Sequence, residues 1–173
     1  MQLDRMIASL KSFGETLPQL VSNVSAENAK WKPPSQNWSI LEIVCHLVDE
    51  EAEDFRRRIQ LTLEDPSQEW PSINPEIWAV ERKYNEQNLQ EKVQAFVAER
   101  TKSIDWLAGL SGADWSTTYQ HRHFGPMKAG DLLAAWTAHD QLHVRQIAKR
   151  KYEIIRRDAG EFSAGYAGDW NEA

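Results

Sequence analysis

Four long stretches of this 173-residue sequence repeat apolar residues at steps of three and four, and this spacing constrains the fold more than any other feature. Residues at such steps share one face of an α-helix, whereas a half-buried β-strand alternates apolar and polar residues. The stretches cover residues 2–22, 40–63, 88–110 and 129–149. Gly14 is the only glycine before residue 109, and this scarcity also favours long helices. The sequence therefore predicts an all-α protein.

The second stretch has the clearest helix start in the chain. Ser39 is a candidate N-cap and Glu42 follows it by three residues, which is the capping-box pattern. Trp38 before the cap and Ile43 after it are placed to form a hydrophobic staple. We therefore expect one helix over residues 40–63.

Several acidic residues in this helix precede a run of three arginines. Their spacing allows ion pairs between positions i and i+4, and we expect most of these acids on the solvated face. The acids are Asp49, Glu50, Glu51, Glu53 and Asp54.

The connections between the predicted helices differ in length. The one over residues 64–88 is longer than the 2–8 residues usual between neighbouring helices of a bundle. The one over residues 113–128 alternates in part and fits a short extended segment closed by Gly125-Pro126. We therefore expect a four-helix bundle with one long crossover connection, in a single domain that spans residues 1–173.

The charge balance and the cysteine count limit the partners. The formal net charge is −6, whereas binding to nucleic acid or an anionic membrane needs clustered lysine and arginine. We therefore expect neither partner. The sequence also contains no run of about 18 apolar residues, so we expect no membrane span. The single cysteine excludes an internal disulfide and fits a reducing compartment. We expect a cytoplasmic protein that binds a small-molecule substrate.

The last predicted helix contains two histidines four residues apart, His139 and His143. Positions i and i+4 share a helical face with Cβ atoms roughly 5–6 Å apart, so both imidazoles can reach one metal ion. Two ligands make a weak site, and the best third candidate is His46 in the second helix. Three imidazoles leave coordination positions open, as in catalytic zinc sites. The alternative for His46 is a hydrogen-bonded histidine at the edge of the core.

Three polar residues are candidates for a catalytic role beside these histidines. Asp49 and Glu50 follow His46 by three and four residues, so either can orient its imidazole or act as a base on a metal-bound water. The alternative is that both are solvent-facing acids on a charged helix. Gln146 follows His143 by three residues and can hydrogen-bond to the substrate or to metal-bound water, or cap an edge of the core.

A second histidine pair, His121 and His123, precedes the last helix. Alternate residues of a strand share a side, so this pair is a rival metal site. We rank it below the helical set, because no nearby acid or third histidine supports it. The two rings can instead lie over the mouth of a pocket.

Two segments of the sequence are similar to motifs of the DinB-like (YfiT-like) metalloprotein superfamily. Residues 37–51 contain the pattern W-S-x-x-E-x-x-x-H-L, and residues 138–147 contain H-D-x-x-H-x-x-Q-I. Their order and wide separation also match that superfamily. The resemblance implies a four-helix bundle and a divalent metal ion held by His46, His139 and His143. It also implies frequent homodimerisation.

The resemblance also bears on the reaction. Characterised relatives include transferases and isomerases that use a low-molecular-weight thiol, which is therefore an implied cofactor. Zinc or nickel is the first candidate for the ion because imidazole suits both, with iron and manganese as alternatives. We hypothesise a metal-dependent enzyme, either a thiol-dependent transferase or a hydrolase. The alternatives are a non-catalytic metal-binding or stress-response module, and a bundle without a metal.

Overall fold

The computed structural model of the protein describes residues 2–168 and residue 170, and four long helices form the bundle that the sequence predicts. The helical elements are α1 (Leu3–Val21), α2 (Ala26–Lys30), α3 (Ile40–Asp49), a π-helical segment (Glu50–Phe55), α4 (Arg56–Glu64), α5 (Pro75–Glu81), α6 (Leu89–Ala108) and α7 (Ala129–Asp158). The last helix continues beyond Lys149, where we expected its end.

Side-chain caps explain where two of the long helices begin. The Ser39 hydroxyl accepts a hydrogen bond from the Glu42 backbone N–H at 3.1 Å, and the Glu42 carboxylate accepts one from the Ser39 N–H at 2.8 Å. The predicted capping box is therefore confirmed. The Asn88 side chain caps α6 in the same way by accepting from the Glu91 N–H. Pro18 lies inside α1 and does not end it.

The elements α3, the π-helical segment and α4 form one continuous helix, which we call the long second helix (residues 40–64). The residues at both junctions keep right-handed helical backbone angles. The π turn lies between α3, which carries His46, and α4, in which Ile59 is fully buried. Such turns occur frequently at functional sites.

Three acids of the long second helix are buried, and our expectation that they lie on the solvated face was wrong. Glu50, Glu51 and Asp54 expose 5%, 1% and 5% of their surface. They follow the buried Ile43 and Leu47 at steps of three, four and seven residues, so they continue the inward-facing stripe. The expectation failed because it used charge as the sign of exposure, whereas these acids have polar partners inside the protein.

The long helices are arranged so that α1 and the long second helix lie on opposite sides of the bundle, each packed between α6 and α7. α1 runs antiparallel to α6, because Leu10 contacts Arg100 while Phe13 contacts Phe96. The long second helix runs parallel to α6, because Glu51 contacts Arg100 while Arg56 contacts Ser103.

A parallel pair of consecutive helices requires a long connection between them. The chain must return along the whole bundle between the end of α4 and the start of α6, and it does so through residues 65–88. This connection contains α5 and a 3₁₀ turn, Tyr84–Glu86. The predicted crossover connection is therefore present, and the antiparallel neighbours of a simple bundle would not have needed it.

The apolar core consists of two main clusters separated by a polar layer. One cluster is built from Phe13, Leu17, Val21, Ile40, Ile43, Val44, Leu47, Val93, Phe96, Ile147 and Ile154. The other is built from Leu10, Ile59, Leu107, Ala129, Leu132, Leu133 and Trp136. The polar layer contains buried charged and imidazole side chains of the long second helix, α6 and α7.

A small hairpin precedes α7. Strands β1 (Thr118–His121) and β2 (Gly125–Lys128) pair antiparallel. The predicted extended segment is thus present, but Gly125 begins the second strand instead of closing the turn, and its positive φ of 73° favours glycine there. No helix in the described part of the chain is long and apolar enough to span a bilayer.

Candidate metal centre

The imidazoles of His46, His139 and His143 meet between the long second helix and α7. Nε2 of His139 lies 3.0 Å from Nε2 of His143 and 3.4 Å from Nε2 of His46. All three donor nitrogens lie within 4.8 Å of one another. Metal–nitrogen bonds of about 2.0–2.1 Å in a tetrahedral site separate the ligand nitrogens by about 3.3 Å. The observed spacing therefore suits one metal ion.

The outward nitrogens of two of these rings face acceptors. Nδ1 of His143 lies 2.7 Å from Oε1 of Gln146, so the Nδ1–H donates and Nε2 keeps its lone pair. Nδ1 of His46 lies 3.6 Å from a carboxyl oxygen of Glu50, and neither atom has a hydrogen-bond partner among the described residues. The hydrogen bond to Gln146 favours the tautomer of His143 whose inward nitrogen is free to bind a cation. The donor set therefore fits a divalent metal ion.

Burial keeps the three imidazoles neutral. Burial, together with the neighbouring His143, lowers the pKa of His46 to about 2 and that of His139 to about 3. Burial also lowers the pKa of His143, against the hydrogen bond to Gln146, which raises it. Neutral imidazole is the form that binds a metal, so the site is ready for a cation without first losing protons.

Glu50 is the predicted catalytic carboxylate that lies beside the histidines. Its side chain is buried, and this burial, together with the hydrogen bond and the charge of Asp54, raises its pKa to about 9. Arg58 opposes this rise, and its Nε lies 2.6 Å from Asp54. Without a cation nearby, Glu50 therefore carries a proton near neutral pH.

Asp49, the other predicted carboxylate, has different partners. It accepts a hydrogen bond from the hydroxyl of Tyr84 and forms an ion pair of 2.7 Å with Arg82. Arg82 and Tyr84 belong to the crossover connection. Among the described residues, Asp49 therefore binds this connection and not the histidine cluster. Its contacts hold the connection against α3.

A buried ion cluster, made of Glu51, Arg100 and Asp140, was not expected from the sequence. The arginine lies 2.9 Å from Glu51 and 2.7 Å from Asp140, and all three side chains are almost fully buried. The sequence contains one sign of this buried charge. Arg100 follows Val93 by seven residues and Phe96 by four, which places a charge on the apolar stripe of α6.

The sequence profile of the DinB superfamily matches residues 10–147, which is most of the chain. The chain belongs to the DinB superfamily.

The fold of this DinB superfamily protein is also that of a solved structure. The structure of YfiT from Bacillus subtilis, described as a probable metal-dependent hydrolase with an unusual four-helix bundle topology, is 15% identical in sequence and has a TM-score of 0.79. The match covers 88% of this chain and 87% of that chain. At this identity the match shows a shared fold. No curated protein matches the sequence.

An open cavity of about 810 Å³ lies next to the histidine cluster of this DinB superfamily protein. Trp38 and Gln146 line it, and each also contacts a histidine: the Trp38 ring lies 4.9 Å from the His46 ring, and Gln146 binds His143. The cavity wall also includes residues of the crossover connection, among them Ile73. A volume of this size accommodates a small molecule.

The rival histidine pair lies on the hairpin, away from the three-histidine cluster. Nδ1 of His121 accepts the backbone N–H groups of His123 and Phe124, so this nitrogen is used in the turn. Both rings line a second cavity of about 380 Å³ with Trp70 and Arg58. The described residues place no third metal-binding side chain with this pair.

Proposed function

We propose that this protein is a metal-dependent enzyme whose ligands are His46, His139 and His143. The observation that carries the proposal is the convergence of three Nε2 atoms whose rings are neutral. Three protein ligands leave a position open for substrate or water, as in catalytic sites. The proposal takes zinc or nickel as the ion, because imidazole suits both, with iron and manganese as alternatives.

We further propose hydrolysis as the reaction. A divalent cation acts as a Lewis acid and lowers the pKa of water or of a thiol that it binds. Glu50 is placed to hold or take up the proton that moves during the reaction, since its carboxyl group lies within 3.6 Å of His46. Gln146 orients His143 and lines the cavity. The description of YfiT as a probable metal-dependent hydrolase supports this reaction class.

The metal site is tested by the metal content of the purified protein. We expect about one divalent ion per chain in the wild type and a large loss in His143→Ala. His123→Ala is the matched control, because it removes an imidazole from the hairpin and not from the cluster. Equal metal content in the wild type and in His143→Ala would show that the ligand set is wrong.

The reaction class is tested with neutral esters and amides, and separately with electrophiles plus a low-molecular-weight thiol, each with and without chelator. Hydrolysis that chelator abolishes supports the proposal. Activity that requires the thiol would assign the protein to the transferases instead. A protein that binds the ion and has neither activity would favour the non-catalytic module.

The role of Glu50 is tested by comparing Glu50→Gln with Asp49→Asn in the metal-loaded protein. We expect Glu50→Gln to lower kcat by roughly 10²–10⁴-fold with the metal retained, as removal of a general acid or base does. Asp49→Asn is expected to have the smaller effect on kcat, because Asp49 binds the crossover connection. The reverse order of the two effects would contradict the role proposed for Glu50.

A further inference from the structure

The guanidinium of Arg100 joins all four long helices. Its Nε and Nη2 each donate to Glu51 at 2.9 Å, and its Nη1 and Nη2 donate to Asp140 at 2.7 and 2.9 Å. Nη1 also donates to the backbone carbonyl of Leu10 at 2.9 Å. Leu10 lies in α1, Glu51 in the long second helix, Arg100 in α6 and Asp140 in α7. One side chain of α6 therefore forms hydrogen bonds to each of the other three long helices.

Two routes lead from Arg100 to the histidine cluster. Asp140 directly follows His139 in the chain, so its pairing with Arg100 limits the rotation of α7 at that point. Glu51 also accepts a hydrogen bond of 3.0 Å from the indole of Trp136. The second route continues from Trp136, whose ring stacks on Phe55 at 5.8 Å, and the Phe55 ring lies 5.1 Å from that of His139.

The energetic cost of burying charge indicates that this cluster has a role other than stabilising the bundle. Desolvation of buried ion pairs offsets most of their attraction, and well-packed apolar residues often give equal or higher stability. Bidentate pairing, in contrast, fixes the directions of both carboxylates. Arg100, with 2% of its surface exposed, pairs bidentately on two sides. The geometry of Arg100 therefore fixes the orientation of the Glu51 and Asp140 carboxylates.

We propose that Arg100 is a positioning residue for the metal centre. Through Glu51 and Asp140 it sets the rotation of the long second helix and of α7, so that His139 faces His46 and His143. This inference rests on the metal site of the proposed function. It adds a residue that contacts none of the ligands and that belongs to a helix without a ligand.

The inference predicts that the ligand geometry changes when the bidentate contacts are lost. Arg100→Lys keeps the charge and loses the planar fork. The triple variant Arg100→Met, Glu51→Gln, Asp140→Asn removes the buried charges together, so that no carboxylate is left unpaired. Leu17→Ala is the control, because it removes a buried apolar side chain from α1, which supplies neither a metal ligand nor a charged member of the ion cluster.

The experiment loads each purified full-length variant with Co²⁺ and records the visible absorption spectrum, the affinity by chelator competition and the unfolding free energy. We expect both Arg100 variants to lose about 10–100-fold in Co²⁺ affinity and to show a shifted or weakened band, as changes around a ligand set do. Leu17→Ala should lower stability and leave the spectrum unchanged.

Three results would overturn the inference, and they are distinguishable. If the wild type binds Co²⁺ and the folded Arg100 variants match its affinity and spectrum, the ion cluster is purely structural and the proposed function stands. If the wild type itself binds no Co²⁺, the metal site fails and the role of Arg100 fails with it. A spectrum in Leu17→Ala that changes as much as in Arg100→Lys would also contradict a specific positioning role.

Discussion

Asp49 and Glu50 are neighbours in the chain, yet the fold gives their carboxyl groups different surroundings. Asp49 binds Tyr84 and Arg82, whereas Glu50 is buried beside His46. Helical spacing alone could not separate them, because steps of three and four from His46 reach the same face. The partners that separate them lie more than 30 residues away in the crossover connection, whose path the sequence does not fix.

The raised pKa of Glu50 makes the stability of the metal-free protein depend on pH. Burial holds the pKa near 9 in the folded protein against an ordinary value of 4.5, so the folded chain keeps a proton that the unfolded chain releases between these values. The free energy of unfolding should therefore fall as the pH rises through this window, by at most about 1.4 kcal/mol per pH unit.

Glu50→Gln removes this dependence. We expect the variant to be more stable than the wild type at pH 8 and to lose that advantage towards pH 4.5. Urea unfolding of the metal-free proteins at several pH values measures the difference. An advantage that stays constant between pH 5 and pH 8 would contradict the raised pKa.

Gly14 is a position where close packing against a buried side chain requires glycine. A Cβ built at this position would lie 3.1 Å from Cγ of Arg100, and the hydrogen bonds of Arg100 prevent that side chain from moving away. Glycine to alanine within a helix normally stabilises by about 1 kcal/mol. We expect Gly14→Ala instead to destabilise by about 1 kcal/mol in urea unfolding. Gly112→Ala, where a Cβ meets nothing within 4 Å, is the control.

At the scale of the helices, starts were easier to predict than burial. The predicted capping box at Ser39 marks a helix start through local hydrogen bonds, which depend only on nearby residues. The π-helical segment has no such local signal. The burial of Glu51 was also unpredictable from its own helix, because its partner Arg100 belongs to another one.

The cap of the long second helix is tested by Ser39→Ala. The Ser39 hydroxyl accepts from the Glu42 N–H and donates to Asn85 of the crossover connection at 2.7 Å. We expect the free energy of unfolding to fall by about 1–2 kcal/mol, as for other lost caps. Ser111→Ala, at an exposed position outside the helices, should change it by less than about 0.5 kcal/mol.

At the scale of the whole molecule, the sequence predicted the bundle, its long crossover and the residues that form the histidine cluster. The prediction worked because four helical stripes and two widely separated motifs are explicit in the sequence. The sequence alone could not predict the polar layer in the centre of the bundle. That layer depends on which helices become neighbours, and the parallel pairing of the long second helix with α6 is set by tertiary packing.

Metal binding should raise the thermal stability of the whole molecule. An ion that binds only the folded state, present at a free concentration of 100 times its Kd, adds about 2.7 kcal/mol to the free energy of unfolding. For a chain of this length this corresponds to a rise of roughly 5–10 °C in Tm. We expect such a rise on adding Zn²⁺ to the metal-free protein, measured by differential scanning calorimetry. His143→Ala should show little or no rise, and an equal rise in that variant would place the ion elsewhere.

Homodimerisation, which the superfamily resemblance implies, remains a prediction. We expect light scattering coupled to size-exclusion chromatography to give a mass of twice the 20.0 kDa chain. A mass of one chain across micromolar concentrations would contradict it.

His46 and His139 lie 93 positions apart in the chain. An ion bound by both would therefore close a ring of polypeptide that contains the crossover connection, α6 and the hairpin. Because constraints on long rings suppress more disorder than constraints on short ones, such an ion would act as a detachable clasp. Removal of the ion should then release this constraint and lower the stability of the whole bundle, without the breakage of a covalent bond.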